Sequence, residues 1–175
     1  MEEFLNPAEV LKQLDLEEDI TVADFGSGSG GWVLPLAKKI EEGKIFAIDI
    51  LEEPLSALKA KAKLAKIFNI ETIKSDVEGI NGSRLSQSSC DLVLMTNLLF
   101  QCENKKQVFE EGIRVLKPGG RILVVDWKKD AQLGPEEGRV PVGEVRKIAK
   151  ETGLTLEKEF SASPYHYGLI FAKSR

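Results

Sequence analysis

Residues 26–31, Gly26-Ser27-Gly28-Ser29-Gly30-Gly31, constrain this chain more than any other stretch. An apolar run at 20–25 enters them, and a segment with Val33, Leu36, Ala37 and Ile40 on one helical face leaves them. Glycines there let the backbone turn tightly and approach a ligand closely, while the following helix offers unpaired N–H groups. Residues 20–40 therefore read as a strand–loop–helix unit built to hold something at the loop.

The same alternation continues. Apolar runs predict strands at 44–50, 70–74, 91–96 and 121–126, with helices at 31–40, 54–68, 104–116 and 142–152. A short helix is expected at 6–14, with Asn6 as N-cap, Pro7 at the first helical position and Glu9 completing a capping-box-like pattern. The helix at 104–116 is expected to close at Lys117-Pro118-Gly119-Gly120. Strands at 154–160 and 165–173, joined by Ser161-Ala162-Ser163-Pro164, read as an antiparallel pair. Strands followed by helices predict an α/β fold, a doubly wound, mostly parallel sheet. The 175 residues fit one domain, 1–175, with no linker, repeat or low-complexity tract.

Charge narrows the function. With 24 Lys and Arg against 28 Asp and Glu, the formal net charge is −4. Nucleic-acid binding normally rests on a basic face, and none stands out; Lys59, Lys61, Lys63 and Lys66 read as the wet side of a helix. Cys90 and Cys102 form no C-x-x-C pair and read as reduced thiols. The acidic start Met1-Glu2-Glu3 does not resemble a secretory leader, and no apolar run approaches the roughly 18 residues of a membrane span. The expected location is cytoplasmic, with no metal cluster; the oligomeric state stays open.

The glycine spacing alone leaves the ligand undecided. Gly26, Gly28 and Gly31 fit the dinucleotide spacing G-x-G-x-x-G, while Gly26, Gly28 and Gly30 fit G-x-G-x-G. Asp49, ending the second strand, suits the ribose hydroxyls of either ligand. Four features together choose between them. Asp24 inside the first strand is one, since a carboxylate there repels a pyrophosphate and suits a ligand with an ammonium and a sulfonium; Leu116-Lys117-Pro118-Gly119-Gly120 before the fifth strand is another. Ser75-Asp76 adds an acid at the end of the third strand, and no separate substrate domain follows.

These segments resemble the class I S-adenosylmethionine-dependent methyltransferases. Residues 22–30 look like their first motif, Asp49 and Asp76 like the acids ending their second and third strands, and residues 91–97 and 116–125 like their fourth strand and the entry to their fifth. The likeness covers nearly the whole chain. It is nearest to small methyltransferase-domain proteins related to the quinone-biosynthesis C-methyltransferases. It implies a Rossmann-like, seven-stranded sheet of order 3-2-1-4-5-7-6, with strand 7 antiparallel. It also implies S-adenosylmethionine as cofactor. Gly26, Gly28 and Gly30 would contact its methionine part, with Asp24 near the amino group and Asp49 on the ribose. Ile50 would pack on adenine, and Asp76 and Val77 would bound the adenine edge. Asn97 would sit beside the sulfonium and the incoming nucleophile.

Methyl transfer asks the protein mainly to align two reactants and exclude water. His166, the only histidine, lies between Tyr165 and Tyr167 at the rim where ligands of parallel sheets bind and is a candidate base near neutral pH. Asn97 is the second catalytic candidate, and residues 127–140 are a candidate lid. The fourth strand ends Thr-Asn-Leu-Leu, without the Asn/Asp-Pro-Pro-aromatic run of the base-amino methyltransferases. A small-molecule acceptor is therefore expected. A non-catalytic S-adenosylmethionine-binding or partner subunit of the same fold is the alternative, and an NAD(P)-dependent oxidoreductase a weaker one.

Overall fold

The computed structural model describes residues 4–175. In chain order the elements are α1 (Pro7–Leu11), β1 (Thr21–Phe25), α2 (Val33–Lys39), β2 (Lys44–Asp49), α3 (Glu52–Leu64) and β3 (Ile70–Lys74). They continue with β4 (Cys90–Thr96), a 3-10 turn at Leu99–Gln101, α4 (Lys105–Val115), β5 (Leu116–Trp127), α5 (Val142–Glu151), β6 (Thr155–Ser161) and β7 (His166–Ala172). The strands form one sheet of order β3-β2-β1-β4-β5-β7-β6. The pairs among β1 to β5 are parallel, and β7 runs antiparallel to both β5 and β6. The fold and strand order expected from the sequence are those observed.

Both faces of the sheet are covered, which is why its central strands read as unbroken apolar runs. On one face Ala23, Phe25, Val93, Met95 and Val124 pack with α4 and α5 through Phe109 and Val145. On the other, Val22, Leu92, Leu94, Leu123 and Val125 pack with α1 and α2 through Val10, Leu11 and Val33. Strand order reverses between β1, whose next strand lies on one side, and β4 on the other. Ligands of such sheets bind beyond the carboxyl ends of the strands at that reversal.

Some boundaries differ from the sequence reading. The regular part of α1 is shorter, five residues, although the Asn6 side chain does cap it by accepting from the Glu9 N–H at 3.3 Å. The Glu9 carboxylate pairs with Lys12 at 2.6 Å. Residues 117–120 belong to β5: the Gly119 N–H donates to the Lys173 carbonyl, and the Lys173 N–H to the Gly120 carbonyl. A strand from the far end of the chain supplies that ladder, so local residue preference could not show it. Helix α3 begins at Glu52, two residues before Pro54, which sits in its first turn where a missing N–H costs little.

Candidate functional site

Beyond the ends of β1, β2 and β3 lies a cavity of about 400 Å³. Small-molecule sites commonly enclose about 300–1,000 Å³. Gly26 and Gly28 from the loop after β1, Asp49 and Ile50 after β2, and Asp76 and Val77 after β3 line it. Six of the residues singled out in the sequence thus meet at one cavity. Asp24, Gly30, Asn97 and His166 stand outside its lining.

The loop is held by backbone bonds across to β2. The N–H groups of Gly26 and Ser27 both donate to the Ile48 carbonyl, at 2.8 and 2.9 Å. Gly26, Gly28 and Gly30 all have positive φ, +73°, +54° and +93°, where side chains are strained. The three differ in their surroundings. A Cβ on Gly30 would stand 2.4 Å from Leu58 Cδ1, so a side chain there would press on the buried Leu58 of α3 and force it to shift. A Cβ on Gly28 would meet no atom within 4 Å. Gly28 leaves open space in the wall of the cavity itself.

Asp49 ties the loop to the cavity. Its Oδ2 accepts from the Gly28 N–H at 2.9 Å, and its Oδ1 from the Leu51 N–H at 3.0 Å. A carboxylate has about four acceptor positions. Two are therefore left for hydroxyls presented from the cavity. Ile50 and Leu51 beside it are 57% and 60% exposed, an apolar shelf that this chain itself leaves uncovered. Opposite, Asp76 Oδ1 accepts from the Glu78 N–H at 2.9 Å, which fixes the turn after β3. The rest of that connection is anchored from beneath: buried Glu111 on α4 accepts from the Ser83 N–H and hydroxyl and from Arg114.

Asp24 carries the least ordinary electrostatics. It is fully buried in β1, and neither carboxylate oxygen has a hydrogen-bond partner among the described residues. Burial, and secondarily the charge of Asp49, pushes its pKa up to about 8. Buried carboxylates without partners are rare in folded proteins and call for a functional account. A cationic ligand group nearby would supply one.

The turn after β4 depends on a residue that sequence reasoning missed. Asp126, at the end of β5, accepts from the Leu99 N–H at 2.9 Å and from the Trp127 N–H at 2.8 Å. Burial lifts its pKa to about 6, against the pull of those N–H groups. The signal was available as an acid closing an apolar strand, the pattern that marked Asp49. Asn97 sits just before this turn at φ +48°, its N–H donating to the Val125 carbonyl and its Oδ1 buried without a partner among the described residues.

His166 is fully buried at the start of β7. Its Nδ1 lies 2.9 Å from Ser163 Oγ, its Nε2 has no partner among the described residues, and its ring packs against Trp127 at a 40° tilt with centroids 4.2 Å apart. Burial, with Lys128 nearby, lowers its pKa to about 4. The ring is neutral at pH 7 and a weaker base than the sequence suggested. Residues 127–140, the candidate lid, fold around Arg139, whose guanidinium donates to the carbonyls of Lys129, Ala131, Leu133 and Pro135. Gly134 packs on the Trp127 ring, so the segment covers the end of β5. Among the described residues no cluster of His, Cys, Asp or Glu is arranged to hold a metal ion, and no helix is long and apolar enough to cross a membrane.

Comparison with known proteins agrees with this arrangement. Residues 16–160 match the family model of the methyltransferase domain. A demethylmenaquinone methyltransferase of Shouchella clausii is 27% identical over 119 residues, covering 67% of this chain and 49% of its own length. An arsenite methyltransferase of Halobacterium salinarum is 26% identical over 147 residues, covering 77% of this chain and 37% of its own. The chain thus spans about half, or less, of the curated relatives it matches. The crystal structure of a SAM-dependent methyltransferase from Aquifex aeolicus superposes with a TM-score of 0.87 at 29% identity, covering 96% of this chain and 89% of that one. With the sheet order, the glycine loop and the strand-end acids in place, the chain belongs to the methyltransferase domain family, in its class I, S-adenosylmethionine-dependent branch.

Proposed function

We propose that this single domain binds S-adenosylmethionine in the cavity between β1, β2 and β3 and passes its methyl group to a small-molecule acceptor. The observation that carries this reading is Asp24, a fully buried, unpartnered carboxyl beside a glycine loop and a second acid. The donor set suits the cofactor: Asp24 for a cationic end, Asp49 for ribose hydroxyls, Ile50 and Val77 for a flat base, and Asp76 at its edge. When bound, S-adenosylmethionine supplies an electrophilic methyl on a sulfonium leaving group. The protein's task is then alignment and exclusion of water. Asp49 holds the loop and the ligand together, Gly28 keeps the backbone clear, and the Asp126-braced turn sets Asn97 beside the reacting face. The relatives named above are methyltransferases of demethylmenaquinone and of arsenite, which supports a small acceptor.

A thermal-shift comparison tests the cofactor. A ligand at a hundredfold its Kd stabilises by about 2.7 kcal/mol. S-adenosylmethionine and S-adenosylhomocysteine should raise Tm, while NAD should not. A shift with NAD alone sinks the reading. Incubation with labelled S-adenosylmethionine and a metabolite extract, followed by mass spectrometry, then finds the methylated species.

The two glycines should separate in the same assay. Gly30→Ala drives a methyl into Leu58 on top of the same left-handed backbone cost, at φ +93°, and should lose about 2–5 kcal/mol of stability by thermal denaturation. Gly28→Ala meets no protein atom, so its stability loss stays near the roughly 1–2 kcal/mol of a left-handed backbone. Its larger effect should be on S-adenosylhomocysteine affinity, measured by calorimetry.

A further inference from the structure

His166 holds a polar atom with no hydrogen-bond partner among the described residues. Ser163 Oγ accepts from the N–H of Tyr165 and from the N–H of His166, both at 3.1 Å. A hydroxyl has two acceptor positions and one proton. Both acceptor positions are taken, so the proton goes to His166 Nδ1, 2.9 Å away. A neutral imidazole with an unprotonated Nδ1 carries its proton on Nε2. That N–H is fully buried and has no acceptor among the described residues. An unmet donor in a buried position is costly, and such groups call for a reason.

The surroundings are aromatic and lie on the donor's side of the sheet. Trp127 pairs with His166 across β5 and β7, Val125 pairs with Thr96 across β4 and β5, and Leu94 pairs with Asp24 across β4 and β1. Residues in register, and those two apart along a strand, share a face. Asp24, Thr96, Trp127 and His166 therefore point to one side. Strand spacing puts β7 about 10 Å from β4. Over the Trp127 and His166 rings sits Phe4, with centroids 5.5 Å from Trp127, 5.6 Å from Tyr165 and 5.6 Å from His166. Phe4 is still 47% exposed, a cover with solvent behind it.

We propose that the aromatic cluster of Trp127, Tyr165 and His166 beneath Phe4 is where the acceptor seats once Phe4 moves aside, and that it takes a planar ring whose carbonyl, ether or phenolate oxygen accepts from His166 Nε2–H. The inference rests on the methyltransferase reading for its meaning, but not for its test. His166 acts here as a specificity-determining donor. It selects an oxygen on the acceptor and fixes the ring's register along the rim, and Phe4 gives way when the acceptor ring arrives.

The chain has a single histidine, so nitrogen-15 NMR of the imidazole reads this site without ambiguity. At pH 7.5 the spectrum should show protonated Nε2 and unprotonated Nδ1. Acetophenone, a flat ring with an acceptor-only oxygen, should shift the Nε2 resonance and its proton in Phe4→Ala at lower probe concentration than in the wild type, by severalfold. The same titration with S-adenosylhomocysteine present should give the same ordering. Protonated Nδ1 overturns the proposal. So does an Nε2 resonance unmoved by acetophenone in both proteins, or a Phe4→Ala that binds the probe no better than wild type. None of these outcomes depends on cofactor binding, so failure here leaves the thermal-shift result standing and the reverse also holds.

Discussion

Asp49→Ala should weaken S-adenosylhomocysteine binding about ten- to a hundred-fold, a loss of roughly 1.4–2.7 kcal/mol. Hydrogen bonds to a charged acceptor contribute about 1.5–3 kcal/mol each. Asp49 has two acceptor positions free toward the cavity after meeting Gly28 and Leu51. The substitution also leaves those two N–H groups without their acceptor, so the loop loosens as the ligand contacts go. Asp49→Asn separates the two effects. Its amide oxygen can still receive one backbone N–H but lacks the charge, and its affinity should fall between the two proteins. Calorimetry gives the Kd values, and thermal denaturation without ligand shows how much loop stability has changed. An alanine variant with an unaltered Kd removes Asp49 from the cofactor site.

Much of this fold could be read from the sequence because its central strands are buried on both faces, leaving apolar runs that only a covered sheet explains. The carboxylates were legible for a related reason: Asp24 interrupts an apolar run, and Asp49 and Asp76 stand at or just past the ends of strands. Asp126 carries the same mark and was read only as the end of a strand. Its partner, the Leu99 N–H, arrives from the turn after the neighbouring strand β4 and has no trace near residue 126. The glycines show the same division. Their spacing announces a loop, but the approach of Leu58 to Gly30, and the emptiness beside Gly28, are facts of packing.

His166 marks where residue type misled. A lone histidine between two tyrosines at the ligand rim suggests a group titrating near neutrality. The sheet instead seals it against Trp127, and the hydroxyl three residues earlier occupies Nδ1. Phe4 drew no attention as one aromatic residue in an acidic N-terminal stretch, because its three ring partners lie more than a hundred residues away.

Asp24 should make both stability and ligand affinity depend on pH, in opposite directions. Its folded pKa, about 8, lies well above the ordinary value of 3.8. Between those values the folded chain holds a proton that the unfolded chain has released. The stability this carboxyl contributes is complete below about pH 3.8 and is lost as pH rises through about 8, at up to about 1.4 kcal/mol per pH unit. A ligand cation placed beside Asp24 favours the ionised form, so binding expels that proton. Affinity for S-adenosylmethionine should therefore increase from pH 6 to pH 8, by at most about tenfold per unit. Asp24→Asn cannot ionise. It should flatten this part of both profiles, leave the ligand-free protein at least as stable as wild type at pH 8, and bind S-adenosylmethionine more weakly there. Chemical denaturation across pH, paired with calorimetry at the same values, measures both slopes. Wild-type affinity that ignores pH over this range would mean that no cation meets Asp24, and the cavity would need another ligand.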